Sequence, residues 1–148
     1  MEHFYTLQGE GRYSGQAAYF IRLGGCDVGC VWCDVKDSWD AAKHPLMSVD
    51  ELVEAASEFP GRLAVITGGE PTLHDLHSLC ETLHQANFRV HIETSGSSPL
   101  RGDLDFITLS PKKFKEPLPE MLAVADELKV VVYHKSDFAW GEEHAKSV

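Results

Sequence analysis

Three cysteines dominate the chemistry this sequence can do. Cys26, Cys30 and Cys33 form a C-x3-C-x2-C run. Three thiolates within eight residues can face one point only if the chain wraps around something, and Gly24, Gly25 and Gly29 give the backbone the freedom to do so. The count of three is informative. Structural zinc usually takes four protein ligands, and a four-iron cluster normally takes four thiolates. Three thiolates on such a cluster leave one iron open to a substrate or cofactor. Two blander readings stand beside this one: a three-cysteine zinc knob completed by His44, and unrelated buried thiols. The fourth cysteine, Cys80, falls on the apolar stripe of an expected helix, where a small core residue fits best.

Other motifs carry polar chemistry at chosen points. TGGEP, Thr67 to Pro71, puts two glycines beside a carboxylate. Glycine lets a backbone approach a ligand closely, and Glu70 could receive an ammonium. Glu93, Thr94 and Ser95 end a strand-like run; the hydroxyls suit either a ligand or a helix cap. Ser110, Pro111 and Lys112 end another. His74 and His77 sit three apart on an expected helix, where a solvated face is the commoner role than a metal pair.

The elements that must place these residues alternate in type. Strands are expected at 17–23, 63–67, 88–93, 105–109 and 127–133. Helices are expected at 48–59, 73–86, 118–125 and 137–146. Ser48 and Glu51 have capping-box spacing, and Leu52, Val53, Ala56 and Phe59 share one face. LAVIT, residues 63–67, is a continuous apolar run, as in a strand buried on both sides. Strands alternating with helices imply an α/β fold of parallel βα units with about five strands. Right-handed crossovers then put the loops after the strands on one edge of the sheet, where ligands bind. The motifs fall at those ends.

Composition bounds the rest. The chain has 148 residues, about one domain, and 43% apolar residues are enough for a core. Thirteen Lys and Arg against 23 Asp and Glu give a net charge of −10, which argues against a nucleic-acid footprint. No apolar run approaches a membrane span and no signal-peptide pattern opens the chain. The expectation is a cytoplasmic protein of one domain, 1–148, with no membrane partner.

The cysteine loop, placed after the first strand of an α/β pattern, resembles the signature of the radical S-adenosylmethionine (SAM) enzymes. The resemblance implies a partial TIM barrel in which three cysteines hold a [4Fe–4S] cluster whose open iron binds the methionine part of SAM. It assigns Trp32, Cys33 and Asp34 to the cofactor side of the loop. It also matches GGEP to the motif that binds the SAM amino group, with Gly69 in direct contact and Glu70 in support, and it places Ser110, Pro111 and Lys112 against SAM. Within that superfamily, FYTLQGEG (Phe4 to Gly11), Gly15, FIRL with Arg22, the cysteine loop, Asp34 and Trp39 resemble the 7-carboxy-7-deazaguanine synthases of queuosine and deazapurine biosynthesis. These convert 6-carboxy-5,6,7,8-tetrahydropterin to 7-carboxy-7-deazaguanine with loss of ammonia. On this resemblance Leu7, Gln8 and Gly9 present backbone and amide groups to the ring, and Glu10 accepts from ring N–H groups. Arg22 pairs with the substrate carboxylate through its planar fork, and Thr67 hydrogen-bonds the substrate. The alternative for Arg22 is a structural ion pair. The same resemblance implies a homodimer and a flavodoxin or ferredoxin as electron donor.

Two departures from the family stand out. Many members carry Thr or Ser two residues after the last cysteine as a magnesium ligand; here that residue is Val35, which has no side-chain oxygen for a hard cation. A weakened or rearranged Mg2+ site is expected. Members also usually continue past Val148 with a further βα unit and a C-terminal stretch near the substrate, so this chain reads as shortened. Competing functions are a radical SAM activase of glycyl-radical enzymes, against which LQGEG speaks, and a non-catalytic metal-binding module.

Overall fold

A computed structural model describes residues 1–148. One six-stranded sheet runs in the order β1 to β6. Its strands are β1 (Glu2–Leu7), β2 (Ala17–Leu23), β3 (Leu63–Gly68), β4 (Arg89–Thr94), β5 (Phe106–Leu109) and β6 (Glu127–Leu128). β2 to β6 are parallel, while β1 lies antiparallel against β2 with Glu2 opposite Arg22. The helices are α1 (Val49–Ser57), α2 (His77–Gln85), α3 (Pro119–Val124) and α4 (Ser136–His144). This is the α/β arrangement of a partial barrel. No helix is long and apolar enough to cross a membrane.

The elements differ from the sequence expectation in three places. β1 was not expected; its outer positions are exposed, which hides the apolar signal, yet Tyr5 stacks on Phe59 at 4.6 Å and ties the strand to the core. It also covers the edge of β2 that a five-stranded sheet would expose. The helix expected at 73–86 begins only at His77, after a single 3-10 turn at Pro71–Leu73. Leu76 N–H donates to Arg101 C=O (2.8 Å) and Asp75 Oδ1 accepts from His77 N–H (3.1 Å), so the chain is tied down just ahead of α2. The strand expected at 127–133 pairs with β5 only at Glu127–Leu128, followed by Lys129 N–H to Leu109 C=O (2.8 Å). β5 ends at Leu109 and the chain leaves the sheet through Pro111, so residues beyond 129 have no neighbouring strand to bond. The capping box at Ser48 and Glu51 forms as the spacing implies.

Period-two alternation splits the sheet into two faces. Tyr19, Ile21, Ala64, Ile66, Val90, Ile92, Ile107 and Leu109 face the helices and bury Val53, Ala56, Leu79, Leu83 and Met121 with them. Cys80 belongs to this core, as expected, and burial pushes its thiol up to about 11. The opposite face carries Ala18, Leu63 and Val65, packed by Tyr13 and Phe20. Toward the C-terminal ends of the strands this face turns polar, and there the chemistry sits.

His91 lies on that inner face, against Tyr13 and Phe106 at ring-centroid distances of 4.5 and 5.0 Å. Its Nε2 is buried with no partner. Burial, then the Arg89 charge, pulls its pKa down from 6.5 to about 4, against the opposing pull of Asp105 and Asp126. The unfolded chain therefore binds a proton near its ordinary value while the folded chain refuses it. This contribution to stability is complete above about pH 6.5. It falls away as pH drops toward 4. His91→Phe is expected to flatten that slope in urea unfolding measured across the window. An unchanged slope would show that the imidazole is not the group titrating.

Candidate active site

The cysteine loop leaves the C-terminal end of β2 and is fastened at its start. Gly25 N–H donates to Ser38 C=O (2.7 Å) and Cys26 N–H to Trp39 C=O (3.2 Å). Cys33 N–H donates to Cys30 C=O (3.0 Å), which closes a turn between the last two thiols. On the outer side, Lys115 pairs with the Asp27 carboxylate at 2.6 Å. Trp32 meets Phe114 edge-on (5.5 Å) and stacks on Tyr133 (6.0 Å). The loop is thus held by the protein itself.

All three thiols border one cavity of about 890 Å³. Burial raises the Cys30 pKa; Lys112 opposes that shift, and the nearby Cys26 and Cys33 add to it. No group of His, Cys, Asp and Glu side chains forms a site for a single metal ion. Three thiolates on one cavity are the donor set that would hold a four-iron cluster with one iron left open. The donor set and the room both fit a [4Fe–4S] cluster. His44, the fourth ligand a zinc knob would need, lies outside the cavity with its Nε2 at 2.8 Å from the Asp37 carbonyl. His74 is not on a solvated helix face: its Nε2 lies 2.8 Å from the Gly24 carbonyl, and so braces the cysteine loop.

The glycines of TGGEP are required by that loop. Gly69 N–H donates to Leu23 C=O (3.1 Å) and Glu70 N–H to Gly25 C=O (2.8 Å). A Cβ on Gly69 would lie 2.2 Å from the Gly25 carbonyl oxygen and 2.8 Å from Cys26 Cβ. The backbone pressed against Gly69 is the cysteine loop; Gly69 borders the cavity, and its carbonyl has no hydrogen bond within the chain.

Glu70 is 1% exposed. Its Oε1 accepts from Thr72 N–H (3.1 Å), Thr72 Oγ1 (2.7 Å) and Thr94 Oγ1 (2.5 Å). Its Oε2 accepts from Ser95 N–H (2.8 Å) and Ser95 Oγ (2.5 Å). The carboxylate is filled by the protein and ties the end of β3 to the end of β4. Thr94 and Ser95 therefore do not cap a helix; their hydroxyls serve Glu70.

The remaining walls come from four segments. Lys112 donates to the Ser110 carbonyl and to Ser110 Oγ (2.8 Å), which pins its ammonium beside the thiols. Pro111 is buried and outside the lining. Arg22 borders the cavity, and its Nε lies 2.7 Å from a Glu2 carboxylate oxygen, too far off line for a hydrogen bond. Arg22 thus forms the structural ion pair on one edge of its guanidinium and also borders the cavity. Lys129 bridges Glu10 and Glu93 at 2.9 and 3.0 Å.

Of the residues singled out from sequence, Glu10, Arg22, Cys26, Cys30, Trp32, Cys33, Asp34, Thr67, Gly69, Glu70, Ser110 and Lys112 border the cavity. Gln8 borders a small adjoining pocket and donates to Glu93 Oε1 (3.0 Å). Leu7, 61% exposed, and Gly9 line neither. Sequence reasoning missed Lys129 and Glu127. They follow α3 at alternate positions, so period-two alternation along 127–133 was the signal that could have found them.

A thiol-lined cavity at the C-terminal ends of parallel strands defines a radical SAM protein, and the family model described as Radical SAM superfamily matches residues 20–134. The 7-carboxy-7-deazaguanine synthase of Flavobacterium psychrophilum is 53% identical over 148 residues, covering 100% of this chain and 70% of its own length. That of Synechocystis is 50% identical over 147 residues, covering 99% and 71%. The crystal structure of QueE from Escherichia coli matches with a TM-score of 0.87 at 35% identity, over 99% of this chain and 76% of that one. The chain belongs to the 7-carboxy-7-deazaguanine synthase family of radical SAM enzymes. As such it works with a [4Fe–4S] cluster and SAM.

Proposed function

We infer that the cavity binds 6-carboxy-5,6,7,8-tetrahydropterin beside SAM and that the enzyme contracts it to 7-carboxy-7-deazaguanine. The conversion is redox-neutral: the substrate loses the elements of ammonia. The observation that carries the assignment to these walls is the convergence of the three thiols, the Gly69–Glu70 corner and Arg22 on one cavity. When bound, the cluster and SAM together supply a hydrogen-abstracting carbon radical; the protein orients and shields. Cys26, Cys30 and Cys33 hold the cluster. The Gly69 carbonyl receives the SAM ammonium, with the corner kept rigid by Glu70. Trp32, Asp34, Ser110 and Lys112 line the cofactor side, with Pro111 fixing the turn behind Lys112. Arg22 offers its free guanidinium edge to the substrate carboxylate. Thr67 and Glu10 hydrogen-bond the ring, and Gln8 acts on it through Glu93. Leu7 and Gly9 have no part in this reading, because both lie outside the cavity.

Val35 borders the cavity without a side-chain oxygen, so any magnesium here relies on Asp34, backbone or substrate oxygens and water. Val35→Thr is expected to lower the magnesium concentration needed for half-maximal turnover. An unchanged requirement would remove Val35 as the cause of a weak site. The family likeness supports a homodimer and a flavodoxin or ferredoxin donor, and free thiols suit a reducing, cytoplasmic setting.

The decisive assay is anaerobic. The protein is reconstituted with iron and sulfide, its cluster is quantified, and it is given reductant, SAM and the tetrahydropterin. 7-Carboxy-7-deazaguanine detected by mass spectrometry supports the reading. A full cluster with SAM cleavage and no product would point to another substrate. A colourless, zinc-binding protein would refute the cluster.

A further inference from the structure

Another part of the cavity wall carries a charge arrangement that the motifs leave unexplained. Lys129, just past β6, places Nζ 2.9 Å from Glu10 Oε2 and 3.0 Å from Glu93 Oε2. Glu10 comes from the loop after β1 and Glu93 from β4, so three separate parts of the chain meet at one ammonium. Gln8 donates to the other Glu93 oxygen, Oε1, at 3.0 Å. Glu10, Glu93 and Lys129 all border the cavity.

We propose that Lys129 is a positioning residue of the substrate site, holding Glu10 and Glu93 ionised and side by side to read the N–H-rich edge of the bound heterocycle. This rests on the pterin reading above. The pyrimidine edge of a pterin presents a ring N–H and an exocyclic amine together, and paired carboxylate oxygens are acceptors matched to such donors. Two carboxylates sharing one ammonium are close enough to repel. Without the cation, one of them takes up a proton nearer neutrality and ceases to accept on that oxygen. Burial draws the Lys129 ammonium down, but Glu93 and Glu10 more than offset this and its pKa ends above the ordinary value.

The other groups facing this bridge do not substitute for Lys129. Lys112 is a second cation on the same cavity, tied to Ser110. Glu127 on β6 is engaged by Arg12 N–H (2.6 Å) and Thr108 Oγ1 (3.4 Å). His91, two residues before Glu93, is neutral near pH 7 because its pKa is pulled down to about 4.

The test compares the wild type with Lys129→Met, Lys129→Arg and the double variant Lys129→Met/Glu93→Gln, each reconstituted and supplied with SAM. Two readouts are used from about pH 6 to about pH 9, a range spanning the raised carboxyl pKa expected of an unpaired couple. One is the affinity for 6-carboxypterin, followed by its fluorescence. The other is titration of the glutamate carboxyls by 13C NMR. Lys129→Met is expected to bind about tenfold or more weakly at low pH and to recover as pH rises. One carboxyl should titrate nearer neutrality in this variant alone. Lys129→Arg should keep both carboxylates ionised, and the double variant should lose the pH dependence. Wild-type affinity in Lys129→Met, a weakening that does not vary with pH, or unchanged carboxyl titration would overturn the proposal. If the wild type binds no 6-carboxypterin, the pterin reading falls, while the carboxyl titration still decides what Lys129 does.

Discussion

Glu70→Gln is expected to destabilise the fold by about 2–4 kcal/mol, although the two side chains have nearly the same shape. The reason is the sign of every hydrogen bond around the carboxylate. Five donors point at it: the N–H groups of Thr72 and Ser95 and the hydroxyls of Thr72, Thr94 and Ser95. Hydroxyls can rotate to accept instead. Backbone N–H groups cannot, and one of them faces each oxygen. Whichever way the glutamine amide turns, its NH2 meets a backbone N–H in a buried site. The corner joining β3, β4 and the cysteine loop then loosens, so SAM affinity should fall with stability. Urea unfolding checks the first effect. A loss below about 0.5 kcal/mol, within the range of an ordinary surface substitution, would sink this account of Glu70.

Cys33→Ala is expected to abolish turnover while leaving the fold intact. With two thiolates remaining, reconstitution should give little of the brown iron–sulfur chromophore, and reductive SAM cleavage should drop to background. The fold is expected to survive because contacts within the protein also fasten the loop. Backbone bonds at Gly25 and Cys26, the Lys115–Asp27 pair and the Trp32 stacking hold it. Circular dichroism should therefore be unchanged. Cys80→Ala is the contrasting control: it empties a small volume in the core, costs about 1 kcal/mol and keeps the cluster. A Cys33→Ala protein that still bound a full cluster and cleaved SAM would show that another residue supplies the third ligand.

The sequence by itself determined the class of fold and pointed to many of the residues that border the cavity. Parallel βα units follow from alternating apolar patterns, and such patterns record burial directly. The cysteine run and TGGEP are local in sequence, so their residues could be found there, while their roles came from the resemblance to the radical SAM signature. β1 escaped because an edge strand with an exposed face shows only a weak alternation, and only pairing with β2 makes it a strand. The end of the strand expected at 127–133 was decided by its neighbour, since a strand persists only while the adjacent chain offers hydrogen bonds. Tertiary structure also reassigned roles. Thr94 and Ser95 became donors to Glu70, Gly69 became the contact point for the cysteine loop, and His74 became a brace for that loop. Lys129 could be joined to Glu10 only in three dimensions, because they are 119 positions apart along the chain. A charge network between distant segments leaves no periodic trace; it exists only once the sheet has brought its strands into register.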